Sequence, residues 1–153
     1  MTNRICHNAA LGIDMNVDGV TPNNTPLQNS DGVQNFPLVG SASGSFNSGV
    51  ASGAINAPPN RDYLVQICAS EACDRSGHGE GRFWIGAASV TTAPPFVAGF
   101  YSSANLSIPV SLAGGLAGRV VSAIAIDTDG NTSEFSPCMA YDFNDLTFAD
   151  GFD

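Results

Sequence analysis

Glycine and proline interrupt this chain so often that long helices have almost no room. Seventeen glycines and nine prolines are spread over 153 residues. Both are costly inside a helix, glycine through backbone entropy and proline through its missing N–H. No window sustains apolar residues at i, i+3, i+4 and i+7 over successive turns. Period-two alternation does occur, in runs bounded by Gly, Asn, Asp and Pro, and that is the pattern of half-buried strands.

The spacing predicts strands over 36–43, 49–55, 61–69, 82–92, 100–110, 118–127 and 134–141. The clearest is 61–69, with Tyr63, Val65 and Ile67 on one face and Leu64, Gln66 and Cys68 on the other. In 118–127, Val121, Ala123 and Ala125 alternate with Val120, Ser122, Ile124 and Ile126. About seven short strands at this spacing point to an all-β fold, an immunoglobulin-like or fibronectin-III-like sandwich. Each sheet of such a fold buries its apolar face against the other. The expected organisation is a Gly/Asn/Asp-rich lead segment (1–35), the sandwich (36–141) and an acidic tail (142–153).

Charge narrows the function classes. Charged residues are only 12% of the chain, and the formal charge is −9, with 14 acidic side chains against 5 basic ones. An acidic surface repels phosphate backbones and anionic headgroups, so nucleic acid is excluded as a partner. The longest apolar stretch, around Val120 to Ile126, is far shorter than the ~20 residues of a spanning helix, so membrane insertion is not expected. Every basic residue is arginine, and a lysine-free chain rich in Ser, Thr, Asn and Gly has the composition of an extracellular bacterial β module. Because Met1-Thr2-Asn3-Arg4 precedes no apolar run, an export signal is expected upstream. Cys6, Cys68, Cys73 and Cys138 make an even set, which in an exported chain favours two disulfides. Zinc is the alternative, since His7 adjoins Cys6, but no paired C-x-x-C spacing supports it.

Several motifs occur in a definite order. Leu11-Gly12-Ile13-Asp14 is followed by Asp18-Gly19-Val20-Thr21-Pro22-Asn23, Leu27-Gln28-Asn29 and Gln34-Asn35-Phe36-Pro37. Then come Cys73-Asp74, Ser76-Gly77, Gly79-Glu80-Gly81, Ile85-Gly86, and Asp127 with Gly130-Asn131-Thr132-Ser133-Glu134-Phe135-Ser136 and Cys138. This order resembles the segment that closes right-handed parallel β-helices in bacterial exported surface proteins of the CSLREA type, together with the immunoglobulin-like domain that follows it. The resemblance covers about residues 8 to 138. It implies a non-catalytic structural or interaction module, extracellular or on the cell surface, that caps or follows a β-helix of the parent chain and serves adhesion. A host or cell-surface glycan or protein is the implied outside partner. Because Cys73 and Cys138 both belong to the family pattern, the resemblance pairs them first, leaving Cys6 for Cys68. A Cys68–Cys73 pairing stays open. The lead departs from the pattern at 28–35, which reads as a local insertion, and Phe148-Ala149-Asp150-Gly151-Phe152-Asp153 is similar to short tails on exported proteins, where it would act as a sorting tag.

Three constellations invite a chemical reading. Asp14-x-Asn16-x-Asp18-Gly19 has the opening spacing of a calcium loop, with alternate oxygen ligands on a tight turn. Its twelfth position is Thr25 rather than a bidentate Glu, so a hydrogen-bonded turn is the plainer reading. Calcium at Asp14, Asn16 and Asp18, completed from Asp127-x-Asp129-x-Asn131, is the alternative. Ser76-Gly77-His78-Gly79-Glu80-Gly81 lacks the ending of a phosphate loop and reads as a tight or bulged turn. Trp84, Tyr63, Tyr101 and Phe83 would form a sugar-binding platform if exposed together, making a carbohydrate-binding module the alternative function. A strand-borne Trp is more often expected in the core. Nothing here assembles acid, base and donor, and no cofactor is implied, so the chain is read as a non-enzyme.

Overall fold

The computed structural model describes residues 11–24 and 33–144, and every regular element among them is a strand. The strands are β1 (Leu38–Gly44), β2 (Ser48–Ala57), β3 (Asp62–Ser70), β4 (Phe83–Thr91), β5 (Ser102–Ser111), β6 (Val120–Asp127), β7 (Met139–Ala140) and β8 (Asp142–Phe143). Two four-stranded sheets result, ordered β5-β2-β1-β8 and β4-β3-β6-β7. All pairings are antiparallel except β1 with β8. The chain crosses between sheets after β2, β4, β5 and β7, and the order within each sheet is the Greek-key order of the expected immunoglobulin-like or fibronectin-III-like sandwich.

The alternation read from the sequence sets the core. Along β5, Ala104, Leu106, Ile108 and Val110 are buried while Ser103, Asn105, Ser107 and Pro109 face out. Tyr63, Val65 and Ile67 of β3 and Val121, Ala123 and Ala125 of β6 supply the opposing wall. Alanines at 42, 51, 57, 69, 104, 123 and 125 keep the space between the sheets narrow, so Leu116 and Tyr141 help to fill its end. The Tyr141 hydroxyl donates to the carbonyls of Ser45 and Ser48, both at 2.9 Å, and fastens the closing chain to the β1–β2 hairpin.

Two expectations change. Trp84 is not in the core: it is 47% exposed on the outer face of β4. The register shift between Ile67 and Cys68 sets it opposite Cys68, and the next residue, Ile85, is the one that points inward. The strand predicted over 134–141 survives only as β7, and 142–143, assigned to the tail, form β8. Beside β6 the chain runs irregularly because two serine hydroxyls replace a regular ladder. Ser136 Oγ accepts from Ala123 N and Ser133 Oγ from Ala125 N, each at 2.9 Å, while Ala123 and Ala125 carbonyls accept from Ser136 N and Ser133 N. The edge of β6 is thus satisfied without an extended partner, and Glu134, the first of the two residues between the serines, is free to turn toward the lead.

Candidate functional site

The motif residues of the lead and of the two long turns meet on the outer face of the second sheet. Ile13 packs there on Cys68, Ile124 and Phe135, a small apolar cluster separate from the main core. The chain before and after Ile13 needs polar anchors, because its backbone is in no sheet.

Glu134 is the central anchor. It is 2% exposed, and its carboxylate accepts from Met15 N (2.9 Å), Thr21 N (2.8 Å) and Thr21 Oγ1 (3.1 Å). A buried carboxylate is tolerated only when such donors replace its water, and here all three come from the lead. Between Met15 and Thr21 the chain makes a tight turn, with Val17 at φ 60 and Gly19 at φ 96. Asp14 closes it by accepting from Asp18 N and Gly19 N, both at 3.1 Å.

Two asparagines continue the attachment by imitating peptide groups. Asn23 Nδ2 donates to the Phe36 carbonyl and Asn23 Oδ1 accepts from Phe36 N, both at 2.8 Å. Asn35, itself buried, accepts from Asn24 N and donates to the carbonyls of Asn24 and Asn56, all at 2.8 Å. The lead is thereby bonded to its own exit from 33–37 and to β2.

The turn 71–82 braces the other side. Cys73 and Cys138 form a disulfide, as the resemblance implied. Gly79 N donates to the Ser136 carbonyl and Cys138 N to the Gly77 carbonyl, both at 3.0 Å. His78 Nδ1 lies 2.6 Å from the Phe135 carbonyl, which can only accept, so Nδ1 carries the proton. The Phe36 ring meets His78 edge-on at 5.2 Å. Two glycines in this turn have separate reasons: Gly77 sits at φ 83, and a Cβ on Gly79 would fall 2.0 Å from Ser122 Oγ.

Of the other predicted site residues, Cys6 lies outside the described residues and Cys68 is a buried free thiol, which burial pushes up to about 11. The open Cys68–Cys73 pairing is not formed. Asp14 is occupied within its turn, while Asn16 and Asp18 are exposed. Asp127 closes a similar turn onto Asp129 and Asn131, and among the described residues no three His, Cys, Asp or Glu side chains gather as a metal site. The aromatic platform does not assemble. Tyr63 is in the core, Phe83 lies under the guanidinium groups of Arg82 and Arg119, at 5.0 and 4.8 Å, Tyr101 is half-buried beside Arg61, Asp127 and Asn131, and Trp84 is exposed on the outer face of β4. Both arginines also pair with Glu71.

Glu134 stands within the 130–136 motif, and local pattern alone gives it no role. The available signal was an acid between two serines in a chain with few charges. Asn24 and Asn56 carried no signal, since they bond to Asn35 through backbone atoms that almost any residue supplies.

The fold and this site together define a β-sandwich whose outer face is fitted with a bonded N-terminal lead. No protein-family model matches the chain, and no curated protein is similar to it.

Proposed function

We propose that this chain is a non-catalytic structural and interaction module of a bacterial exported or cell-surface protein, in which the sandwich receives and locks the chain arriving from an upstream β-helix. The observation that carries this reading is the attachment of the lead through Glu134. A simple tether between domains is a solvated, flexible coil. Here three donors of the lead converge on one buried carboxylate, so orientation as well as connection is transmitted. A module that fixes the direction of the incoming chain suits a cap, because an open β-helix end exposes unpaired strand edges that must be covered. The Cys73–Cys138 disulfide supports an oxidising, extracellular setting.

Two measurements test the reading. Hydrogen exchange at the Met15 and Thr21 amides is expected to be slowed to the level of β6; exchange at the rate of free peptide would remove the anchor. Sequencing of the reading frame upstream is expected to reveal a long repetitive exported chain, and a free-standing frame would overturn the capping role.

A further inference from the structure

At one end of the sandwich a cleft of about 190 Å³ opens among the linker at 33–35, the β2–β3 turn, the β4–β5 loop and the turn after β6. Its side-chain chemistry comes from Arg61, Tyr101, Asp127, Asn131 and Gln34. Sites for drug-sized ligands measure ~300–1,000 Å³, so this one suits a single small ring.

The hydrogen bonds already made decide what the cleft offers. Asp127 is occupied, accepting from Asp129 N at 2.9 Å and from the backbone and side-chain amides of Asn131 at 2.8 Å. Asn131 Nδ2 is used in that bond, and Gln34 Nε2 donates to the Asn35 carbonyl at 3.1 Å, which leaves both side-chain oxygens as acceptors. Arg61 is exposed and makes no ion pair among the described residues, unlike Arg82 and Arg119, which are tied to Glu71. The cleft therefore presents one cation that makes no direct ion pair, two carbonyl acceptors and a half-buried tyrosine, beside an Asp127 carboxylate already filled by its own hydrogen bonds and within electrostatic reach of Arg61. Nearby, the buried Tyr63 hydroxyl has no hydrogen-bond partner among the described residues, and Arg61, Asp127 and Tyr101 are all within electrostatic reach of it.

A ligand that matches this set carries one anionic group for Arg61, hydroxyl donors for Asn131 and Gln34, and a C–H face for the Tyr101 ring. We infer that the cleft binds a single carboxylated sugar ring, a uronic acid residue, with its carboxylate on Arg61 and its ring against Tyr101. The guanidinium fork takes a carboxylate through two parallel hydrogen bonds, and the tyrosine offers an apolar body with a polar tip. A simple carboxylate leaves the two acceptors unused, and a neutral sugar leaves Arg61 unpaired. This ligand site does not depend on the anchoring role of the lead.

Calorimetric titration of the whole chain with galacturonate, glucuronate, methyl galactoside and acetate tests it. One of the two uronates is expected to bind at least about tenfold more tightly than either methyl galactoside or acetate, and Arg61→Gln is expected to lower that affinity by about tenfold or more. The Arg61 side chain takes part in no hydrogen bond of the fold among the described residues, so the variant keeps the wild-type melting temperature and reports on binding alone. Tyr101→Ala is expected to weaken uronate binding while leaving acetate binding unchanged. No heat with either uronate, uronate binding that Arg61→Gln leaves intact, or acetate and uronate binding equally would each overturn the inference.

Discussion

Replacing Glu134 by alanine removes the anchor of the lead, and its cost can be worked from the three hydrogen bonds it accepts. A hydrogen bond to a charged group contributes about 1.5–3 kcal/mol, so the simple sum is about 5–9 kcal/mol. That sum is a ceiling the variant will not reach. Met15 and Thr21 belong to a segment outside both sheets, and once the carboxylate is gone they can swing into water and be solvated. The loss then levels off at the docking free energy of the lead. With Ile13 on a small apolar cluster and the Asn23–Phe36 pair retained, we expect a loss of about 2–4 kcal/mol, comparable to breaking one partner of a buried polar pair. At about 2–4 °C per kcal/mol for a chain of this size, the melting temperature should fall by about 4–16 °C. Denaturant titration measures the free energy, and hydrogen exchange locates it: amides of 11–24 should exchange faster while those of β3 and β6 stay protected. Glutamine should recover only part of the loss, because its NH₂ faces a lead N–H or the Thr21 hydroxyl where the carboxylate accepted. A loss below about 0.5 kcal/mol, with lead exchange unchanged, would refute the reasoning.

Replacing Cys73 and Cys138 together by serine should cost about 4 kcal/mol in denaturant titration, from the chain entropy of a loop with sequence separation 65, and reductant should then have no further effect. Gly79→Ala drives a Cβ into Ser122 and should cost about 1–3 kcal/mol by thermal melt, with Ser122→Gly restoring part of it; no restoration would mean that the close approach is not the cause. Burial pushes the Cys68 thiol up to about 11 and the Tyr63 hydroxyl up to about 12, so folding favours both neutral forms. Their contribution is complete below the ordinary thiol and phenol range and is lost as pH rises through 11 to 12; alkaline titration should show this, and Cys68 should resist a thiol reagent at pH 8 until the chain unfolds.

The strands, their inward faces and the two-layer class were legible because period-two alternation is a local property of the chain. Val65 and Ile67, or Leu106 and Ile108, are buried for reasons visible within a few residues. The choice for Trp84 was not local: a one-residue shift in the β3–β4 pairing leaves Ile85 as the extra residue and turns Trp84 to the outer face, and no composition rule anticipates a bulge that exists only through pairing with β3. The site depends still more on distance in sequence. Met15 and Glu134 are separated by 119 residues, and Thr21 and Glu134 by 113. That they meet on one carboxylate depends on the serines near Glu134, which satisfy the edge of β6 and leave it facing the lead. Local pattern determined the sandwich; long-range hydrogen-bond satisfaction decided what is fastened to it.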